Sequence, residues 1–445
     1  MIAKLIALRN HEGFIKYLRN TSWMMAEQFL RIIAGLFVGI WVARYLGPEQ
    51  FGIFSYALAF TAIFAGVAKL GLDGIVVRQL VNEPEKKEVY LGTAFWLKII
   101  GAFLAMGVMA LIVPFTSNDA ITNLFIFIIA SGLIFQSFEV VDFYFQSRVM
   151  AKIISICKVS QLCLSSCIKI YLVITQSELI WFVLVTTFDA ISLSASYFIA
   201  YKFRRGSFFY KHFDIGVARR LLKDSWPLIF SAIVVMIYMR IDQIMIKEML
   251  GEYEVGIYSA AVRLSEAFYF IPTLLSISLF PAILSAKKKS EKLYKNRLQL
   301  LYTLMVWIAV AIALPLTFLS DWLVIFLFGS AYKESGIILS VHAWSAVFVF
   351  LGVSFSKYLI AENLSKIALK RTFLGAIINV VLNIWLIPNY GVLGAAIATL
   401  ISQLFANYIY DCLDLRLKGQ FIIKTKSIFM PWLSYKIVIG LKNRR

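Results

Sequence analysis

The stretch Leu46-Gly47-Pro48-Glu49-Gln50-Phe51-Gly52-Ile53-Phe54-Ser55-Tyr56-Ala57 returns 204 residues later as Leu250-Gly251-Glu252-Tyr253-Glu254-Val255-Gly256-Ile257-Tyr258-Ser259-Ala260-Ala261. Upstream, Ser22-Trp23 returns as Ser225-Trp226. Downstream, Tyr144 and Lys152-Ile153 return as Tyr358 and Lys366-Ile367. The matches lie on one alignment with small gaps, so the chain is internally duplicated. In both copies the glycines Gly47/Gly251 and Gly52/Gly256 flank a tight turn, where glycine tolerates backbone angles that other residues do not.

On either side of each turn lies an apolar run of about 20 residues, the length that crosses a bilayer core as a helix. Working outward from the turns, spans are predicted near 23–43, 51–70, 91–115, 121–145, 154–175, 179–201, 226–246, 255–285, 298–319, 337–360, 367–387 and 391–412. The segment Trp322–Phe328 is too short to cross and is read as interfacial, ending at Gly329. Composition agrees: 60% of the 445 residues are apolar and 16% charged, against about 45–50% and about 25% in soluble domains. Such a chain has too little polar surface for two or three soluble domains.

The connections between spans alternate in charge. One side carries 35 Lys and Arg residues and the other 3, with six more inside spans. Positive loops stay cytoplasmic, so both termini are expected there. The net charge of +19 is thereby explained by anionic head groups of the phospholipid bilayer, and no nucleic-acid partner is expected. The opposite connections are short, leaving no extramembrane domain for soluble chemistry.

The expected fold is all-α and polytopic, with about twelve spans in two six-helix bundles. The expected division is a cytoplasmic amphipathic segment (1–20), a first bundle (21–201), a basic linker (202–223), a second bundle (224–413) and a basic cytoplasmic tail (414–445). Segment 1–20 is broken by Arg9, Asn10, His11 and Glu12 and is not a signal peptide. Within the tail, 428–440 is interrupted by Pro431 and Lys436 and is read as interfacial. Six spans per half is an even number, so both halves share one orientation, as in alternating-access transporters built from parallel repeats. A cleft between the bundles is expected, complete within one chain, so the expected state is a monomer.

No Walker A motif, HExxH or Ser–His–Asp arrangement is present, and no enzyme activity or cofactor is expected. Cys157, Cys163 and Cys167 lack metal-ligand spacing and read as small buried hydrophobes, so no metal is expected.

Charges inside hydrocarbon cost about 2.5–3.5 kcal/mol each on insertion scales, so they are paired or functional. Glu27 and Arg31 are four apart on the first span, and Lys69 and Asp73 four apart at the end of the second. Arg240 and Asp242 lie on the seventh, too close in sequence to face one another. Arg263 and Glu266 lie three apart on the eighth, and Glu139 and Asp142 on the fourth. Glu139, Asp142 and Asp189 are candidate proton or sodium sites. Lys98 and Lys169 are expected to snorkel. Pro272 is expected to break the eighth span as a packing kink.

The chain resembles the Wzx-type polysaccharide flippases of the multidrug/oligosaccharidyl-lipid/polysaccharide exporter superfamily. The resemblance rests on Ala43-Arg44-Tyr45-Leu46-Gly47-Pro48 through Gly52, Gly71-Leu72-Asp73-Gly74 through Arg78, Arg240-Ile241-Asp242-Gln243, the segment from Gly256 to Pro281, and Asn379 through Gly394-Ala395-Ala396. It covers nearly the whole chain. It implies translocation of undecaprenyl-diphosphate-linked repeat units to the outer leaflet for O-antigen or capsule synthesis. A polysaccharide polymerase and chain-length machinery would be partners. With that substrate, Arg31, Arg240 and Arg263 would hold the pyrophosphate, since the guanidinium fork suits phosphate. Asp242, Glu27 and Glu266 would complete the binding group. The competing reading is that these acids neutralise the arginines and fix helix packing only. Energy would come from an H+ or Na+ gradient or the membrane potential. A cation-coupled drug antiporter of the same superfamily is the alternative. A polysaccharide polymerase is a weaker one, because it needs a loop or acidic motif that is missing here.

Overall fold

The computed structural model describes residues 12–204, 206–362 and 364–430, with side chains from residue 20 onward except Ser365. Most of the expected segment 1–20 and the expected interfacial stretch 428–440 lie outside these residues. The described secondary structure is helical. The helices are α1 (Glu12–Lys69), α2 (Asp73–Asn82), α3 (Lys87–Ile112), α4 (Ala120–Phe135), α5 (Val140–Ser147), α6 (Ala151–Ile174), α7 (Leu179–Phe203) and α8 (Ile215–Met249). They continue as α9 (Glu252–Glu266), α10 (Phe270–Lys287), α11 (Glu291–Phe328), α12 (Ser335–His342), α13 (Ser345–Ala361), α14 (Ser365–Leu404), α15 (Tyr410–Leu413) and α16 (Lys418–Phe429).

Among the described residues, 10 helical stretches are long and apolar enough to cross a membrane. Two contain a left-handed glycine where the helix breaks: Gly47 (φ 71) in α1 and Gly391 (φ 59) in α14. The expectation of twelve spans counts each of these twice. Pro48 directly follows Gly47. Its fixed φ and missing N–H suit the first turn of a new helix. Gly251 (φ 116) precedes α9 in the same manner. The turn reading therefore holds for Gly47 and Gly251. Gly52 and Gly256 serve a different end. A Cβ on Gly52 would strike the Glu252 carbonyl, and one on Gly256 the Pro48 carbonyl. The two copies of the turn interlock through the bare faces of these glycines.

Three span boundaries are corrected. Trp322–Phe328 is the last part of α11 rather than a separate interfacial piece, and Gly329 (φ 96) ends the helix. The break in the eighth span falls between Glu266 and Phe270, so Pro272 sits in the first turn of α10, where proline is tolerated. Leu70 (φ 51) and Gly71 (φ 59) separate Lys69 from Asp73, which are not on one continuous helix.

The described residues form one unit of 12–46 and 53–236 and another of 47–52 and 237–430. In the first, α7 packs on α4 and α6, and α2 on α5. Its core runs through Tyr90, Phe95, Phe145, Tyr197, Tyr201 and Phe209. In the second, α11 is central, packed by α10, α12, α13 and α16. Its core runs through Tyr294, Tyr302, Phe350 and Phe355. Part of the expected free tail is thus structural: α16 lies on α11, with Tyr302 donating to Gln420 Oε1 at 3.0 Å and Ser427 donating to the Gln299 carbonyl at 3.2 Å.

Candidate functional site

In the second unit, α8, α9 and α14 bring polar groups together within apolar helices. Asp242 on α8 is buried. Its carboxylate accepts from Tyr258 OH at 2.8 Å, from Asn383 Nδ2 at 2.6 Å and from the Thr399 hydroxyl. Asn383 Nδ2 also donates to Asn379 Oδ1 at 3.1 Å. Asn379 and Asn383 are four apart on one helical face, and both are completely buried. Thr399 comes from the other side of the Gly391 break. No salt bridge reaches Asp242 among the described residues. Asn383 Oδ1 and Asn379 Nδ2 are buried without hydrogen-bond partners. Each such orphan costs about 1–3 kcal/mol, and a bound ion is one of the usual compensations. The donor set is one carboxylate surrounded by neutral oxygens. That chemistry suits a proton or a monovalent hard cation, since a divalent ion takes more charged oxygen ligands.

Arg240 does not pair with Asp242, its neighbour two residues on. Its Nη1 meets Glu266 Oε2 across α8 and α9 at 3.7 Å. Arg263, one turn before Glu266, lies within electrostatic reach of Arg240. Two guanidiniums thus share this region with Glu266 and Asp242. The group is neutral while Asp242 is a bare carboxylate, and carries one excess positive charge once Asp242 is protonated or holds a cation.

In the first unit, Arg31 Nε meets Glu27 Oε1 at 3.2 Å, and Arg31 also donates to Gln28. The acid is buried while the Arg31 side chain is 51% exposed. The guanidinium therefore keeps free surface for a further contact.

The three proton or sodium candidates each have a lysine. Glu139 is 2.7 Å from Lys98, Asp142 3.0 Å from Lys158, and Asp189 3.0 Å from Lys169. Asp142 further accepts from Gln146 and Tyr197, and Asp189 from Ser165. Lys98 and Lys169 do not snorkel. Lys98 is 2% exposed and lies 5.0 Å over the Phe143 ring. A carboxylate in the same buried layer offers a lysine more than a distant head group does.

Sequence spacing did not single out Asn383 or Thr399, whose partner Asp242 is 141 and 157 residues away. The repeated polar positions of α14 were the available signal. It also missed Asp411 and Lys424, 2.5 Å apart and both fully buried. Lys424 lies 3.5 Å over the Phe355 ring, and burial pushes its ammonium down to about 8 against the pull of Asp411. Arg371, counted among loop charges, is buried beside them and donates to Ser356 Oγ at 3.0 Å. Ser265 and His342 form a buried pair at 2.7 Å. No carboxylate is bonded to that imidazole among the described residues, so the third group of a nucleophilic triad is missing.

Residues 17–287 match the family described as polysaccharide biosynthesis protein. The chain belongs to that family. Residues 227–385 of this family member also match MatE. It is 22% identical over 398 residues to the capsular polysaccharide biosynthesis protein CapF of Staphylococcus aureus, covering 88% of this chain and 98% of that protein. It is 26% identical over 415 residues to the probable flippase AglR of Haloferax volcanii, covering 87% and 81%. Its fold matches the lipid II flippase MurJ in an inward closed conformation, with a TM-score of 0.68, 17% identity and 94% and 95% of the chains covered. An inward-facing multidrug resistance MATE transporter of the MOP superfamily gives the same TM-score of 0.68 at 15% identity, covering 90% and 96%. This member of the polysaccharide biosynthesis protein family is a multi-pass helical membrane protein whose fold is shared with the MurJ and MATE structures.

Proposed function

We propose that this transporter carries undecaprenyl-diphosphate-linked oligosaccharide repeat units from the inner to the outer leaflet of a bacterial cytoplasmic membrane, for O-antigen or capsule synthesis, by alternating access. The observation that carries the reading is the Arg240–Glu266–Arg263 group on α8 and α9 beside the caged Asp242. Guanidiniums bind phosphate oxygens in bidentate fashion. Capsule and flippase names among the relatives support the same substrate class.

Asp242 is the coupling residue in this reading. A proton or monovalent cation in the oxygen cage removes its negative charge and leaves the arginine group net positive. Ion occupancy of the cage thereby sets how strongly the group holds the diphosphate. Glu139, Asp142 and Asp189 are less suited, because each already has a lysine counter-ion.

The test deletes the gene and extracts undecaprenyl-linked intermediates. Complementation with Arg31→Ala, Arg240→Ala and Arg263→Ala follows. Complete repeat units should accumulate on lipid, surface polysaccharide should vanish, and the α8 and α9 variants should fail to restore it. Unchanged polysaccharide with raised sensitivity to cationic drugs would replace this reading by the antiporter reading that the MatE match favours.

A further inference from the structure

A recess of about 300 Å³, open on one side, lies in the first unit, where the end of α1 and the start of α2 face α5. Its walls carry Lys69, Asp73, Gly74, Glu139, Asp142 and Phe143. Val77 and Gln146 complete the wall, and Gln146 orients Asp142, donating to it at 2.8 Å. Behind the wall, Lys98 reaches Glu139 at 2.7 Å and Asp73 at 3.9 Å, and Lys158 reaches Asp142 at 3.0 Å. Three carboxylates therefore face three ammonium groups.

Two features mark the segment that borders this space. Gly74 has an ordinary helical backbone, and a Cβ built on it would meet nothing within 4 Å. Neither backbone angle nor close packing calls for glycine there, although it is a poor helix former. Leu70, the residue after Lys69 of the wall, holds φ 51 without being glycine. Strain of this kind, worth about 1–3 kcal/mol, persists where the surroundings impose it and concentrates at ligand sites.

Size and charge select the ligand class. A single water needs about 10–15 Å³ of such space, so the recess is far too roomy for a bare ion. The balanced charge gives no net attraction for a phosphate. Paired carboxylates, an amide and lysines instead form a dense array of acceptors and donors, with one aromatic ring. That array matches a neutral polyhydroxyl ring. Its hydroxyls both donate and accept, while its apolar face can lie on Phe143. The flanking connections, with Arg78, Lys86, Lys87, Arg148 and Lys152, are Lys- and Arg-rich, which places the cavity at the cytoplasmic end.

We propose that this cavity is a glycan subsite that takes a sugar ring of the lipid-linked substrate at the cytoplasmic face. The inference rests on the flippase reading and adds a sugar-selecting element to it, separate from the arginine group. Lys98 and Lys158 act as positioning residues that hold Glu139 and Asp142 in place to accept hydroxyl hydrogen bonds.

The test uses the purified full chain in lipid nanodiscs. The probe is the repeat-unit oligosaccharide released by mild acid from the lipid extract of the deletion strain, observed by saturation-transfer NMR. Gly74→Leu fills the cavity and should weaken binding at least about tenfold, whereas Gly74→Ala and Gly107→Leu should stay within about twofold of wild type. Gly107 lies on α3, with equally open space around it, and controls for loss of a helical glycine. Asp73→Asn should weaken binding without altering thermal stability. Equal binding by wild type and Gly74→Leu, or no binding to wild type, overturns the subsite. Absence of lipid-linked repeat units from the deletion strain overturns the flippase reading instead.

Discussion

Replacing Lys424 by Met, or Asp411 by Asn, should release helix α16 from the second unit. The two side chains are 0% exposed and 2.5 Å apart, so either substitution leaves an uncompensated buried charge or acceptor. Removing one partner of such a pair costs about 3–5 kcal/mol, whereas replacing both by apolar groups is often neutral or stabilising. Other contacts of the helix include Gln420 on Tyr302, Ser427 on the Gln299 carbonyl, Thr425 beside Tyr408 at 2.9 Å, and the buried side chain of Ile423. Neutral bonds of this kind contribute about 0.5–1.5 kcal/mol each, so the three together are comparable with the loss and the helix docks less often rather than never. Trypsin reads the outcome, since Arg416, Lys418 and Lys426 flank the buried lysine. While opening is fast relative to cleavage, the cutting rate follows the undocked population. Each single variant should then be cut about 10²–10⁴ times faster than wild type in this segment. The double variant Asp411→Leu/Lys424→Met should return to near the wild-type rate. Wild-type rates in both single variants would refute the claim that the buried pair holds the helix.

The same helix should respond to pH. Burial holds the Lys424 ammonium down at about 8, below its ordinary 10.5, with Asp411 opposing and Arg371 reinforcing. The undocked chain binds more protons over this range, so docking strengthens as pH rises; trypsin resistance should increase between about pH 8 and about pH 10. Asp242→Asn should abolish any dependence of transport on a proton or sodium gradient while leaving the protein folded, as read by vesicle uptake with and without the gradient; gradient dependence that survives would remove Asp242 from the coupling role. Gly256→Val should force the Pro48 carbonyl away and lower stability by about 1–3 kcal/mol, measured as a fall in melting temperature in detergent. Lys98→Met should destabilise the first unit, and Lys98→Met/Glu139→Gln should restore most of the loss, because the cost lies in the orphaned carboxylate rather than in the missing pair.

Much of the architecture was legible along the chain. Crossing a bilayer requires about 20 apolar residues in a row, and that signal needs no partner. The alternation of basic connections is likewise a one-dimensional property, and the duplication shows as residue identity at a fixed offset. Gly47 and Gly251 were readable as turn glycines because their constraint is their own backbone angle. Gly52 and Gly256 were not, because their constraint is a carbonyl some 200 residues away. Pairing within one helix was also accessible, as Glu27 and Arg31 show.

Partnerships between helices were not. Arg240 bonds Glu266 and leaves adjacent Asp242 to Tyr258, Asn383 and Thr399. Lys98 turns inward to Glu139, and Lys424 in an apparent tail meets Asp411. Sequence by itself determined that this is a duplicated, polytopic helical membrane protein and which charges lie within it. Only the tertiary structure decided which of those charges pair with one another. The reason is that a salt bridge depends on the rotation and depth of two packed helices, and those are set by the close packing of large side chains from segments far apart in the chain.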